Sequence, residues 1–288
     1  MDYTVVMVTY NSGENLKKTF ESILKQKEIP NELIIIDNNS IDGTIERLLD
    51  YKKKIPNFRI FRSKINLGYC KGVNLGVNLS KNQTILVLDH DARLVKETWI
   101  EIAFKNLRQN IGVVWGNPGF LNPRDYGEIF ISSAFLIKKQ IFQEVGMFDE
   151  KLFINENEPD LTIRMNRHGY RILPLKKAEI FHPYKPKDAR YYLYTLSNRL
   201  LRYWKYYPYW IAILMSIFYA LQEFREIKNS KFIRYWLKGM RRFFSNLYWI
   251  GISYKKRMGL KEFFQSAYQL RFPSFGYKLV KYLYHLKN

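Results

Sequence analysis

Thr84-Ile85-Leu86-Val87-Leu88 runs straight into Asp89-His90-Asp91. Five uncharged residues rich in β-branched and aliphatic side chains read as a strand buried on both faces, and in open α/β sheets ligands collect beyond the carboxyl ends of such strands. Two carboxylates one residue apart are therefore held where a buried strand emerges into solvent, a place suited to a metal-bound phosphate. Alone, the Asp-x-Asp pair also fits a strand-end turn in which Asp bonds its own backbone. The surrounding chain decides between the two.

Upstream, Tyr3 to Thr9 (YTVVMVT) reads as a strand, and Asn15 to Gln26 has helical spacing with Leu16, Phe20, Ile23 and Leu24 apolar. Glu32 to Ile36 (ELIII) is a second continuous apolar strand, ending at Asp37. A helix is expected from Thr44 to about Lys53, a strand over Phe58 to Arg62 and a helix over Lys71 to Leu79. Strands alternating with helices of about ten residues signify βαβ units and a mostly parallel sheet. Downstream the pattern is mixed: a helix over Glu97 to Arg108, strands over Gly112 to Gly116, Ile129 to Ile137 and Arg171 to Pro174, and helices over Lys139 to Val145 and Asp160 to His168. Gly169 suits the C-cap of the last of these. From Asp188 onward only helices are read, with breaks at Pro208, Asn229-Ser230, near Gly259 and at Pro273. No internal repeat or low-complexity linker interrupts the chain.

The 288-residue chain is long enough for one large domain or two modest ones. Its charge is uneven. Residues 183–288 carry 21 Lys/Arg against 4 Asp/Glu, a balance of +17 that leaves only +4 for residues 1–182. The same segment holds 29 of the 48 aromatic residues, a combination suited to a membrane interface or a nucleic acid. Cys70 is the single cysteine, which excludes an intramolecular disulfide and a thiol-based metal site and fits a reducing, cytosolic setting. Met1-Asp2-Tyr3-Thr4 enters a strand without a basic n-region, so no signal peptide is expected. The longest uncharged stretch, Tyr206 to Gln222, is short of the ~20 apolar residues of a membrane span and reads as a buried or interfacial helix.

Taken in order, Val8-Thr9-Tyr10-Asn11, Asp37-Asn38-Asn39-Ser40-Ile41-Asp42-Gly43-Thr44, Asn66-Leu67-Gly68-Tyr69 with Gly72, Asn74 and Gly76, and Asp89-His90-Asp91 resemble the family 2 glycosyltransferases, rhamnosyltransferase-like branch. The matching motifs spread over residues 3 to about 182, and a looser match continues to about residue 245. The resemblance implies a GT-A fold, a Rossmann-like, mostly parallel sheet flanked by helices that binds a nucleoside-diphosphate sugar, followed here by an all-helical extension. The expected division is a catalytic domain over 1–187 and a basic, aromatic-rich helical region over 188–288.

In that family Thr9, Tyr10 and Asn11 flank the base and ribose, and Asp37 accepts a hydrogen bond from the nucleobase. Asp42, ahead of Gly43-Thr44, suits a cap or turn role. Asn66, Gly68 and Gly72 belong to the donor side; the four-residue spacing of Gly68, Gly72 and Gly76 permits close packing against either the nucleotide or the sheet. Asp91, with Asp89 through ribose or metal contacts, would hold Mg²⁺ or Mn²⁺ against the leaving diphosphate. His182, in Ile180-Phe181-His182-Pro183, stands where the family can complete the metal site.

The general base must take a proton from the attacking acceptor hydroxyl. The family carries it in an acidic cluster, commonly Glu-Asp-x-Asp, and here the cluster reads Asn155-Glu156-Asn157-Glu158-Pro159-Asp160. Glu158 is the expected base, with Asp160 and then Glu156 behind it; an acid at 160 also favours a helix N-terminus. Ser132-Ser133-Ala134 departs from the commoner Ser-Gly-Ala and would narrow the acceptor pocket.

The expected activity is inverting, metal-dependent transfer of a hexose or deoxyhexose from a nucleoside-diphosphate sugar to a hydroxyl of a growing glycan. Interleaved Lys/Arg and Trp/Tyr/Phe after residue 190 suit the headgroup level of a bilayer, which implies a polyprenyl-linked glycan acceptor and a place at the cytoplasmic face of the membrane. The competing class is a non-catalytic membrane-surface or nucleic-acid-binding module on a degenerate transferase fold; a nucleic acid is not the expected partner. Nucleotidyl transfer would need a basic phosphate loop that Thr9-Tyr10-Asn11-Ser12-Gly13 lacks. The sugar, nucleobase, acceptor and oligomeric state are not encoded in any motif.

Overall fold

A computed structural model describes residues 1–13, 15–117, 130–183, 186–253, 257–260 and 262–263. Packing divides the chain into two units, one from Met1–Phe153 and Asn157–Tyr184, the other from Ile154–Glu156 and Lys185–Asn288.

Among the described residues of the first unit, an eight-stranded sheet is formed by β1 (Thr4–Thr9), β2 (Glu32–Asp37), β3 (Phe58–Arg62), β4 (Thr84–Leu88), β5 (Arg93–Leu94), β6 (Ile111–Asn117), β7 (Ala134–Lys138) and β8 (Arg171–Phe181), in the order β3-β2-β1-β4-β7-β6-β8-β5. β1 pairs in parallel with β2 and β4, β2 with β3, and β6 with β8; the β4–β7, β6–β7 and β5–β8 pairs are antiparallel.

Successive strand residues point to opposite faces, and the continuous apolar runs therefore feed two cores. Val5, Met7, Leu33, Ile35, Leu86 and Leu88 pack with α1 (Leu16–Leu24), α2 (Thr44–Leu49) and α4 (Trp99–Asn106). Their neighbours Val6, Val8, Ile34, Ile36, Ile85 and Val87 pack with α3 (Tyr69–Leu79), α5 (Lys139–Glu144) and α6 (Asn157–Arg167). The result is the three-layered, doubly wound arrangement expected from the alternation of elements.

The helix expected to about Lys53 ends, as α2, at Leu49, and three further local expectations shift. The strand expected from Ile129 begins only at Ala134, since among the described residues Phe130–Ser133 leave the ladder and Ser132 is bonded to Tyr69 and Glu158. The segment expected to end at Pro174 continues as β8 to Phe181, changing partner from β6 to β5 at its end. α6 starts at Asn157 rather than Asp160, because Pro159 falls in the first turn, where its missing N–H is not needed. The expected break at Pro273 lies outside the described residues.

In the second unit a π-helical turn (Tyr191–Thr195) leads into α7 (Leu196–Tyr206), α8 (Tyr209–Arg225) and α9 (Ile233–Ser253). Pro208 caps α8 and so separates it from α7. α9 is held to α7 by Arg242, whose Nη1 donates to Ser197 Oγ at 2.7 Å and Asn198 Oδ1 at 2.6 Å. Trp204 Nε1 donates to Ser216 Oγ at 3.0 Å, joining α7 to α8. Buried Glu156 accepts from Arg199 Nε at 2.6 Å and Arg202 Nε at 3.0 Å. Burial pushes the Glu156 carboxyl up, but the two guanidinium charges hold it below the ordinary glutamate value. Among the described residues no helix is long and apolar enough to cross a membrane.

Candidate active site

The carboxyl ends of β1, β2 and β3 are in register, which brings Thr9, Asp37 and Arg62 side by side. Asp37 is fully buried; its Oδ1 accepts from Thr9 Oγ1 at 3.0 Å and its Oδ2 from Ser40 N at 3.0 Å, with Arg62 Nε 3.7 Å away. Asn11 sits at φ 49°, its Oδ1 accepting from Ile41 N at 3.0 Å, and Tyr10 leaves its ring half exposed beside these loops. Asp42 binds the start of α2 through Thr44 N and reaches Gly13 N, the cap and turn role its position suggested.

Asn66 Oδ1 accepts from Gly68 N at 2.9 Å and sets the turn into α3. Gly68 has φ 81°, and a Cβ there would stand 2.5 Å from the Phe153 ring, so glycine is required on two counts. The open question of the glycine stripe resolves toward the sheet for the other two positions: Gly72 lies against Val8 and Gly76 against Val6.

β5 explains how the proposed ligands meet. Arg93 pairs with Phe181 and Leu94 with Ile180, so the ladder brings the residue after β8, His182, back to the Asp89-x-Asp91 turn. His182 Nε2 lies 3.3 Å from Asp91 Oδ1 and 3.7 Å from Asp89 Oδ2. Single ligand atoms from the three residues all lie within 4.8 Å of one another. Two hard carboxylate oxygens and an imidazole nitrogen on one side of a site fit Mg²⁺ or Mn²⁺ and leave coordination positions for phosphate oxygens. Burial raises the Asp89 carboxyl to about 7; His182 opposes that shift, while the charges of Asp91 and Glu158 add to it.

Beside this cluster, Asp89 N donates to Ser133 O at 2.9 Å and the Tyr69 hydroxyl to Ser132 O at 3.1 Å. Ser132 Oγ in turn donates to Glu158 Oε1 at 2.6 Å. Glu158 is half-buried in the first turn of α6. Asp160, by contrast, is fully buried and accepts from Arg164 Nε at 3.0 Å and Nη2 at 2.7 Å. Glu156 is committed to Arg199 and Arg202. Of the three acids considered as base, Glu158 alone is only partly buried; Asp160 and Glu156 are buried and engaged by arginines. Ser133 Oγ and Asn157 Nδ2 are buried without a hydrogen-bond partner among the described residues.

Sequence reasoning did not assign Arg62 or the Tyr69 hydroxyl. Arg62 was recoverable from strand register, because parallel strands of similar length align their carboxyl ends. Tyr69 offered no such signal, since its partner Ser132 lies 63 residues away.

A sequence model of glycosyl transferase family 2 matches residues 4–162, over half of the chain. The N-acetylglucosaminyl-diphospho-decaprenol L-rhamnosyltransferase of Mycobacterium tuberculosis is 24% identical, with 62% of this chain and 75% of that protein covered. The poly-beta-1,6-N-acetyl-D-glucosamine synthase of Staphylococcus epidermidis is 26% identical over 52% of this chain and 43% of its own length. Among solved structures, the mannosyltransferase PcManGT from Pyrobaculum calidifontis, in complex with GDP-Man and Mn²⁺, superposes with a TM-score of 0.59 at 14% identity, covering 99% of this chain and 79% of that one. S. aureus TarS 1-349, in complex with UDP-GlcNAc, gives 0.58 at 18% identity, covering 94% and 80%. The fold is therefore the GT-A-like fold of nucleotide-sugar transferases, and the chain belongs to glycosyl transferase family 2.

Proposed function

We propose that the chain is an inverting, divalent-metal-dependent glycosyltransferase that moves a hexose or deoxyhexose from a nucleoside-diphosphate sugar to a hydroxyl of a growing, lipid-linked glycan at the cytoplasmic face of a membrane. The observation that carries this reading is the meeting of Asp89, Asp91 and His182 at the carboxyl edge of the sheet, with Glu158 oriented by Ser132 nearby. Chemistry is assigned to residues 1–187 and attachment to a membrane surface to residues 188–288.

Asp89, Asp91 and His182 would hold Mg²⁺ or Mn²⁺, which supplies positive charge against the leaving diphosphate. Thr9, Tyr10, Asn11 and Asp37 are assigned to the base and ribose, and Asn66 and Gly68 to the shape of the donor side, while Gly72 packs on the sheet against Val8. Glu158 takes the proton of the acceptor hydroxyl as that oxygen forms its bond to the anomeric carbon. The bond from that carbon to the phosphate oxygen breaks, and the nucleoside diphosphate leaves with its electron pair. A single displacement of this kind inverts the anomeric centre. Ser133 Oγ and Asn157 Nδ2, without hydrogen-bond partners among the described residues, are assigned to sugar hydroxyls. The lipid-linked acceptor is supported by the acceptor named for the mycobacterial relative.

The test is nucleoside-diphosphate release from a panel of nucleotide sugars with a polyprenyl-diphosphate-linked acceptor and Mn²⁺. Release that depends on acceptor and disappears in Asp91→Ala supports the reading. Nucleotide binding without release from any donor would place the chain among non-catalytic members of the fold.

A further inference from the structure

α8 is covered on one side and bare on the other. Ile211, Ala212, Ser216, Tyr219, Ala220 and Glu223 are buried. Trp210, Ile213, Leu214, Ile217, Phe218 and Leu221 are each between 45% and 60% exposed, and Phe224 continues the row. At 100° per residue these positions fall within an arc of roughly 140°, one continuous face. No charged residue occurs between Tyr209 and Gln222. Seven large apolar side chains on one face amount to several hundred Å² at least, the size at which an exposed patch signals an interaction site.

α9 supplies a different surface beside it. Trp236 Nε1 donates to Ala220 O at 3.2 Å, and its ring meets Phe224 edge-on at 5.2 Å, so the two helices are packed together. The outer side of α9 carries Arg234, Lys238 and Arg241 at helical spacing, all exposed, with exposed Leu237 and Phe244 between them. None of the three cations forms an ion pair with a described residue.

We propose that the outer faces of α8 and α9 form a monotopic docking surface for an anionic lipid bilayer, with α8 lying in the interfacial plane. The assignment deepens, and rests on, the membrane attachment given above, and it names the element that attaches. An apolar face without charge can enter the acyl boundary, while arginine and lysine stems reach from it to headgroup phosphates. α8 has 17 residues, short of the ~20 that span a bilayer, so it lies flat. Charge decides the occupant. A two-fold dimer through this surface would set the same basic patch against itself, whereas an anionic bilayer complements it.

The experiment is flotation of the full chain with vesicles of phosphatidylcholine alone and of phosphatidylcholine mixed with phosphatidylglycerol, beside light scattering without lipid. The wild type is expected to bind the mixed vesicles at least about tenfold more tightly, and the exposed double substitution Leu214→Asp with Ile217→Asp to lose about tenfold or more at unchanged unfolding midpoint. Reversal of Arg234, Lys238 and Arg241 to Glu is expected to remove the preference for anionic lipid. Failure of the wild type to float, or equal flotation of the α8 variant, overturns the proposal. So does a lipid-free dimer that the α8 variant converts to monomer, since that gives the face to a second copy. Nucleotide binding on the same preparations tests the transferase reading separately.

Discussion

Ser132 Oγ donates a 2.6 Å hydrogen bond to Glu158 Oε1, joining the turn before β7 to the first turn of α6. The same turn receives the Tyr69 hydroxyl and the Asp89 amide, so the carboxylate is oriented by groups that also border the proposed metal ligands. In the proposed base role, a carboxylate held in this way is already placed for an incoming hydroxyl.

Glu158→Gln is expected to retain nucleotide binding and lose transfer by about 10²- to 10⁴-fold. Ser132→Ala should lower kcat with little change in donor KM, and Ser132→Thr should restore most of it. Steady-state kinetics with donor and acceptor varied separately checks both. Unaltered kcat in Glu158→Gln would remove Glu158 from the base role.

Binding of a divalent ion must displace any proton on its carboxylate ligands. Because burial lifts Asp89 to about 7, the ion-free protein loses the stability linked to its protonated form as pH rises from the ordinary aspartate range through about 7. A bound cation favours the ionised form and reverses that trend. The rise in unfolding midpoint on adding Mn²⁺ should therefore be small at about one unit below pH 7 and grow through neutrality, and Asp89→Asn should flatten the profile. Calorimetric scans across that range measure it.

Glu156 has the opposite sign. Burial is outweighed by Arg199 and Arg202, which keep its carboxyl below the ordinary 4.5. The stability it contributes is complete above 4.5 and is lost as pH falls through the lower folded value. Breaking one side of a buried ion pair leaves charge uncompensated and costs ~3–5 kcal/mol, so Glu156→Gln should be destabilised by about that much in denaturant titration at neutral pH and by less in acid.

Gly68→Ala meets both a left-handed backbone and the Phe153 ring. A loss of more than ~1 kcal/mol is expected by urea unfolding, while Gly169→Ala, also at positive φ but with nothing within 4 Å, should cost less.

The alternation of apolar runs and helices made the doubly wound half legible, because strands such as Glu32–Asp37 are buried on both faces and have no other reading. Asp160 was read only as a second candidate base or a helix N-terminal acid, and the structure engages it with Arg164 one turn on. What the sequence concealed was long-range. β5 is two residues long and carries no strand signature of its own, yet it is the element that returns His182 to Asp91. Phe153, Asn155 and Glu156 take positive φ without glycine, so no composition signal marks the bend before α6. The bare face of α8 was equally hidden, since its uniformly apolar sequence does not say which side another helix covers.

Thermal unfolding of the purified chain with UDP, GDP, dTDP and CDP, each with and without Mn²⁺, tests the nucleotide-and-metal site most directly. A ligand at about 100 times its dissociation constant stabilises by ~2.7 kcal/mol, a clear rise in midpoint. The account predicts such a rise for a nucleoside diphosphate, dependent on Mn²⁺ and absent in Asp91→Ala; no rise with any of the four, or an undiminished rise in Asp91→Ala, would contradict it.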